Sequence, residues 1–152
     1  MKVGVISDTH GLLRPEAVNR LIGVDHIIHA GDIGNPEIIA QLGDLAPVTA
    51  IRGNNDTDEW ASSYAEHERL TLAGQTIYVI HNVKELRDDP VKAGYDVVVS
   101  GHSHKPKAET IGGVLYLNPG SAGPRRFRLP ITVAILDLTD GQIRPYILDI
   151  AA

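Results

Sequence analysis

Five times along the chain a run of apolar, mostly β-branched residues gives way to a side chain that can bind a metal. Val3-Gly4-Val5-Ile6 leads to Asp8 and His10, Ile27-Ile28 leads through His29-Ala30-Gly31 to Asp32, and Val48-Thr49-Ala50-Ile51 leads through Arg52-Gly53 to Asn54. Ile77-Tyr78-Val79-Ile80 runs straight into His81, and Val97-Val98-Val99 leads through Ser100-Gly101 to His102 and His104. Such runs read as strands. Strands of one sheet that run the same way end on the same edge, where open α/β proteins gather their ligands. Residues spread over most of the chain can therefore meet in one cluster.

That cluster would hold the carboxylates Asp8 and Asp32, the imidazoles of His10, His81, His102 and His104, and the carboxamide of Asn54. The chain has no cysteine, so no thiolate competes. Nitrogen and oxygen donors in this mixture suit manganese, iron, zinc, nickel or cobalt rather than copper(I) or a cysteine-built structural zinc site. Manganese is the expected metal. Seven ligands are too many for one ion; if one carboxylate bridges, they divide into two sets of four. Each piece alone has a plainer reading. Asp-Xaa-His after a strand is commonly an ordinary loop, and Gly-Asn-Asn-Asp is good turn chemistry. The metal reading rests on finding every ligand just past a strand end.

Charge narrows the partners. The net charge is −5 and no long basic run exists, which argues against sequence-independent binding to nucleic-acid backbone. A small phosphate ester fits, because two divalent ions would outweigh Asp8 and Asp32 and leave a local field of about +2. No apolar stretch approaches the roughly 20 residues that span a bilayer, the first strand begins at Lys2 in place of a signal peptide, and cysteine is absent. The expectation is a cytoplasmic protein with no membrane partner, folded as one domain over residues 1–152.

The first half alternates strand and helix, with Pro15 and Pro36 each placed in the first turn of a helix. Such alternation implies parallel strands joined by helical crossovers. A third helix is expected over 83–93, with Pro90 able to shorten or kink it. The second half reads as hairpins: Leu70–Leu72 with Ile77–Ile80, Thr110-Ile111 with Val114-Leu115 around a primed Gly112-Gly113 turn, and Ile131–Leu136 with Ile143–Ile150. So many strands with so few helices imply an α/β fold of two mixed β-sheets packed face to face and flanked by helices, a four-layer αββα sandwich. The least patterned stretch is 56–69.

The ordered set Asp8-Thr9-His10, Gly31-Asp32, Gly53-Asn54-Asn55-Asp56, His81 and Gly101-His102-Ser103-His104 resembles the calcineurin-like metallophosphoesterases. The compact length and Asn118-Pro119-Gly120-Ser121 resemble their small YfcE-type phosphodiesterase branch. The resemblance covers nearly the whole chain and implies the αββα metallophosphoesterase fold. It implies that Asp8, His10 and His104 hold a first metal, that Asn54, His81 and His102 hold a second, and that Asp32 bridges them. Asp56 would orient ligands without binding metal. Thr9 and Gly11 would only shape their loop. Asp32, Asn54, Asn55 and His102 are the residues expected at the reacting phosphate, where an activated hydroxide attacks in line.

Two positions depart from the family. Asn82 follows His81 where glycine is usual, and Asn55 stands where histidine or cysteine is typical; a carboxamide can hydrogen-bond a phosphoryl oxygen but cannot act as an acid. Arg125 and Arg126 read either as a solvated pair or as substrate contacts, and Arg125 is the candidate for binding phosphate. His26, inside a strand, and His67, in the unpatterned stretch, are expected to be dispensable. His29 reads as a packed strand histidine in preference to a support for the metal ligands. Diesters are the favoured substrates, since no cap domain is evident to recognise the extra charge of a monoester. The alternatives are a phosphomonoesterase or nucleotidase and a Vps29-like non-catalytic scaffold. The family often forms dimers or tetramers, but no element here announces an interface.

Overall fold

The computed structural model describes residues 1–150, so the last two positions of the expected 1–152 domain lie outside the described residues. The chain opens with β1 (Lys2–Ile6), α1 (Pro15–Leu21), β2 (His26–His29), α2 (Pro36–Gly43) and β3 (Val48–Ala50). Both helices begin with proline in the first turn, where its missing N–H would have had no partner. Asn35 caps α2 by accepting from the Glu37 N–H. The remaining strands are β4 (His67–Leu72), β5 (Gln75–Ile80), β6 (Val97–Val99), β7 (Lys107–Ile111), β8 (Val114–Asn118), β9 (Thr132–Asp137) and β10 (Arg144–Asp149).

They form two five-stranded mixed sheets, in the orders β10-β9-β1-β2-β3 and β4-β5-β6-β8-β7. β1, β2 and β3 are mutually parallel, as are β5, β6 and β8; β9 and β10 of the first sheet and β4 and β7 of the second pair antiparallel with their neighbours. The sheets bury Val3, Val5, Ile28 and Leu136 of the first against Ile77, Val79, Val97, Val99 and Leu117 of the second. On the other face of the first sheet, Ile6, Ile27 and Val133 pack under Ala17, Leu21, Ile38 and Leu42 of the two helices. A buried Val, Ile or Leu side chain contributes about 1.5–3 kcal/mol. These two cores can therefore hold costly loop conformations at the strand ends.

The expected two-sheet sandwich with outer helices is present, but its fourth layer is thin. The helix expected over 83–93 does not form. Asn82 caps a one-turn 3-10 segment, Val83–Glu85, and Asp89 caps a separate four-residue α3 (Pro90–Ala93) that Gly94 closes in the left-handed region. Proline at the first helical position holds Asp89 extended, so the two turns cannot join. They cover only Tyr78, Ile80, Tyr95, Val98 and Val114 on the outer face of the second sheet. His67 also lies elsewhere than expected: it starts β4, opposite Ile80, and a 3-10 helix spans Glu59–Ser63. On this edge strand only one face is half-buried, so Glu68 and Arg69 obscure the alternation. Gly112 and Gly113 both take positive φ, as the primed turn between β7 and β8 requires. Among the described residues no helix is long and apolar enough to cross a membrane.

Candidate metal centre

Asp8, His10, Asp32, His102 and His104 have φ of 56°, 45°, 56°, 72° and 63°. The left-handed region costs a residue with a Cβ on the order of 1–2 kcal/mol, and among the described residues five of the eight non-glycine residues found there are sequence-predicted ligands. β1, β2 and β6 are thus followed by sharp left-handed turns at the residues that carry these side chains. Strain concentrated at one edge is typical of a functional site.

The side chains converge. Asp8 Oδ1 lies 3.7 Å from His10 Nε2, 3.8 Å from His81 Nε2 and 3.4 Å from His104 Nε2. Asp32 Oδ2 lies 3.2 Å from His81 Nε2 and 3.7 Å from His10 Nε2. Two donor groups result, Asp8-His10-His104 and Asp8-Asp32-His81, each with its ligand atoms within 4.8 Å of one another. Asp8 belongs to both groups, while Asp32, of the second, also comes within 3.7 Å of His10 of the first.

The hydrogen bonds present the donors for a cation. Asp8 Oδ2 accepts from the Ser7 hydroxyl at 2.7 Å and from the His102 N–H at 3.1 Å, while Oδ1 is buried without a partner. His81 Nδ1 lies 2.7 Å from the Ala30 carbonyl, which can only accept, so Nδ1 carries the proton and the lone pair of Nε2 faces the carboxylates. His81 Nε2 is likewise buried without a hydrogen-bond partner. A lone pair and two anionic oxygens turned inward at this spacing fit a divalent ion well, with an outer carbonyl fixing the imidazole as in many metal sites. Burial alone would raise the pKa of Asp8, but contacts with His10 and His104, the charge His81 carries whenever its Nε2 is protonated, and the Ser7 hydroxyl hold it well below the ordinary carboxylate range. Asp32 is lowered in the same way, burial being outweighed chiefly by His81.

Surrounding residues lock the loops. Asp56 accepts three backbone N–H bonds of 2.9 Å, from Ile33, Gly34 and Gly53, and so ties the loop bearing Asp32 to the loop bearing Asn54. The Asn55 N–H and side-chain amide both bond to Asp32, at 2.9 and 3.1 Å. His29 is fully buried; its Nδ1 accepts from the Gly31 N–H, so its Nε2 donates to Thr9 Oγ1, which donates on to the Ile33 carbonyl. Desolvation pushes its pKa down to about 4, and it stays neutral. A Cβ on Gly53 would strike Asp32, and one on Gly101 would strike Ser7 Oγ and Asp8 Oδ2. Glycine there permits close approach of the loops.

Sequence reasoning missed Ser7, Asn118 and Ser121. Asn118 donates to the Gly101 carbonyl and Ser103 Oγ, and Ser121 donates to the Asp8 carbonyl. For Asn118 and Ser121 the one signal was Asn118-Pro119-Gly120-Ser121 following a strand; Ser7 had none. His102 and Asn54 are exposed and line, with His81 and Asn82, one cleft of about 1080 Å³ beside the centre; the His102 ring stands edge-on 5.3 Å from that of His81. Arg125 and Arg126 are both exposed without ion-pair partners among the described residues; the Asp8 contact raises the pKa of His10, and the nearby charge of Arg126 opposes that weakly.

Residues 1–141 match the calcineurin-like phosphoesterase superfamily domain, and the chain belongs to that superfamily. It is 36% identical over 153 residues to a probable metallophosphoesterase of Methanothermobacter thermautotrophicus, covering 93% of this chain and 88% of that protein. It is 29% identical over 167 residues to the phosphodiesterase YfcE of Escherichia coli, covering 90% and 88%. A solved structure of an archaeal phosphodiesterase superposes with a TM-score of 0.80 at 28% identity, over 97% of this chain and 100% of the other. Vps29 of Entamoeba histolytica with bound zinc superposes with a TM-score of 0.74 at 23% identity, over 99% of both chains, a likeness of fold alone.

Proposed function

We propose that residues 1–152 act as one domain, a dinuclear metal-dependent phosphodiesterase that hydrolyses small phosphate diesters. The observation that carries this reading is the buried, unpartnered pair Asp8 Oδ1 and His81 Nε2, with the outer nitrogen of His81 fixed on Ala30. In this reading Asp8, His10 and His104 hold one ion, Asn54, His81 and His102 the other, and Asp32 lies between them. Two divalent ions, manganese foremost, would supply electrostatic stabilisation of the phosphoryl oxygens and a water acidic enough to act as hydroxide near neutral pH.

The chain's own contribution is positional. Ser7 and the His102 N–H commit one oxygen of Asp8 so that the other faces inward. Asn55 holds Asp32 and, being a carboxamide, leaves departure of the alcohol without an acid from that position. Good leaving groups are therefore favoured. Arg126, near His10, supplies positive charge to the incoming phosphate.

A diester carries one negative charge and a monoester two at neutral pH, so the two are separated by a substrate panel. Bis(p-nitrophenyl) phosphate, cyclic nucleotides and p-nitrophenyl phosphate, each tested with several divalent ions, should show turnover of diesters well above monoesters. Faster monoester turnover would make the protein a phosphomonoesterase. Absence of turnover with metal bound would favour an interaction scaffold.

A further inference from the structure

We propose that the cleft beside Asn54, His81 and His102 is a subsite for an uncharged, ring-bearing substituent of the substrate, a nucleoside, and that His67 forms one wall of it. This deepens the phosphodiesterase reading and rests on it.

The cleft, of about 1080 Å³, begins at the metal-ligand candidates and extends along the outer face of the second sheet. That volume is ample for a nucleoside. Tyr78, Ile80 and Leu86 contribute apolar surface to its lining. Tyr78 is held rigidly, its ring stacked on Tyr95 at 4.6 Å and 8°, while the Tyr95 hydroxyl donates to Asp88 at 2.7 Å. The exposed His67 ring stacks against Tyr78 at 5.7 Å and 30°. With Tyr78 sandwiched between the two rings, the exposed His67 ring, backed in this way, is the face that suits stacking by a planar base.

Charge then selects among ring-bearing groups. Arg52 is engaged with Glu66 at 3.3 Å and with the Tyr64 carbonyl at 2.6 Å. The other cations of the lining, Lys84 and Arg87, share it with the carboxylates Glu85 and Asp88. A second phosphate entering here would meet as many anions as cations. Arg125, Arg126 and Arg128, exposed and without ion-pair partners among the described residues, lie outside this lining. A diester whose charge stays at the centre, with its neutral ring substituent in the cleft, matches this charge-balanced lining. His67, which the sequence alone marks as dispensable, becomes a specificity-determining residue.

The test compares adenosine 2′,3′-cyclic phosphate with glycerol 1,2-cyclic phosphate, which share a five-membered cyclic diester, in the manganese-loaded protein. Stacking of the base is expected to raise kcat/KM about tenfold for the nucleotide, and His67→Ala to lower that ratio about threefold or more. His26→Ala, in β2, should leave the ratio at the wild-type value. Independently, adenosine titrated into the isotope-labelled protein with a chelator present should shift the amide resonances of His67 and Leu86. A ratio near one with both substrates hydrolysed, or no shift on titration, would overturn the subsite. Tighter binding of adenosine 5′-phosphate than of adenosine under the same conditions would overturn its neutral character. Resonance shifts without hydrolysis of either diester would instead sink the phosphodiesterase reading and leave the subsite standing.

Discussion

Asp56→Ala tests how the two ligand loops are held together. One oxygen of Asp56 accepts from the N–H groups of Ile33 and Gly53 and the other from Gly34. Ile33 and Gly53 are buried, so without the carboxylate their amides lose a partner that water cannot replace, while exposed Gly34 can turn to solvent. A buried polar group left unsatisfied costs about 1–3 kcal/mol, so two cost about 4 kcal/mol. In a domain of this length that lowers Tm by about 10 °C. The same loss frees the loops bearing Asp32 and Asn54, and weakening an outer support of this kind reduces metal affinity about 10–100-fold. Urea unfolding in chelator reads the first effect and manganese titration the second. Asp58→Ala, at an exposed neighbour, serves as the control and should change stability by less than about 0.5 kcal/mol. A midpoint for Asp56→Ala within about 1 kcal/mol of wild type, with unchanged manganese affinity, would refute the reasoning.

Gly101→Ala should fold but lose turnover by about 100-fold, because its Cβ displaces Ser7 Oγ and Asp8 Oδ2; activity within a few-fold of wild type would count against the close approach. His29 has its pKa pushed down to about 4 by burial, against about 6.5 in the unfolded chain. The unfolded state therefore takes up a proton first as pH falls. Stability is intact above about pH 6.5 and drains by about 3 kcal/mol towards pH 4. Urea midpoints of the chelated protein at pH 7 and 4.5 should fall accordingly, and His29→Gln should flatten the fall; equal slopes in both proteins would contradict the assignment. Arg126→Ala should raise KM about tenfold, the size of one charged hydrogen bond, and more than Arg125→Ala does. Steady-state kinetics showing the reverse order would move the phosphate contact to Arg125.

The convergence of Asp8, His10, Asp32, His81 and His104 was legible because these residues follow strands whose apolar runs are long and unbroken, and because parallel strands must deliver their ends to one edge. The sandwich followed from the count of hairpins against helices. Less legible was anything set by the backbone. Asp56 acts through three main-chain N–H groups rather than through an imidazole, and nothing in its side chain announces such partners. The break between Glu85 and Pro90 comes from two Asx caps, each starting a new turn. An apolar pattern alone joins them into one helix. His67 was obscure because this edge strand has one half-buried face, which includes Glu68, and one exposed face, which includes Arg69, so apolar and polar residues do not alternate at its start. Ser7 and Asn118 gained meaning only when the fold set them against Asp8 and Gly101.

The central claim is that distant loops assemble two ions around Asp8 and Asp32. Metal analysis of the manganese-loaded protein, paired with diester turnover on the same samples, measures it most directly. The account predicts two ions per chain in the wild type, and loss of at least one ion together with nearly all turnover in Asp32→Ala. Two ions and full turnover retained in Asp32→Ala would contradict it.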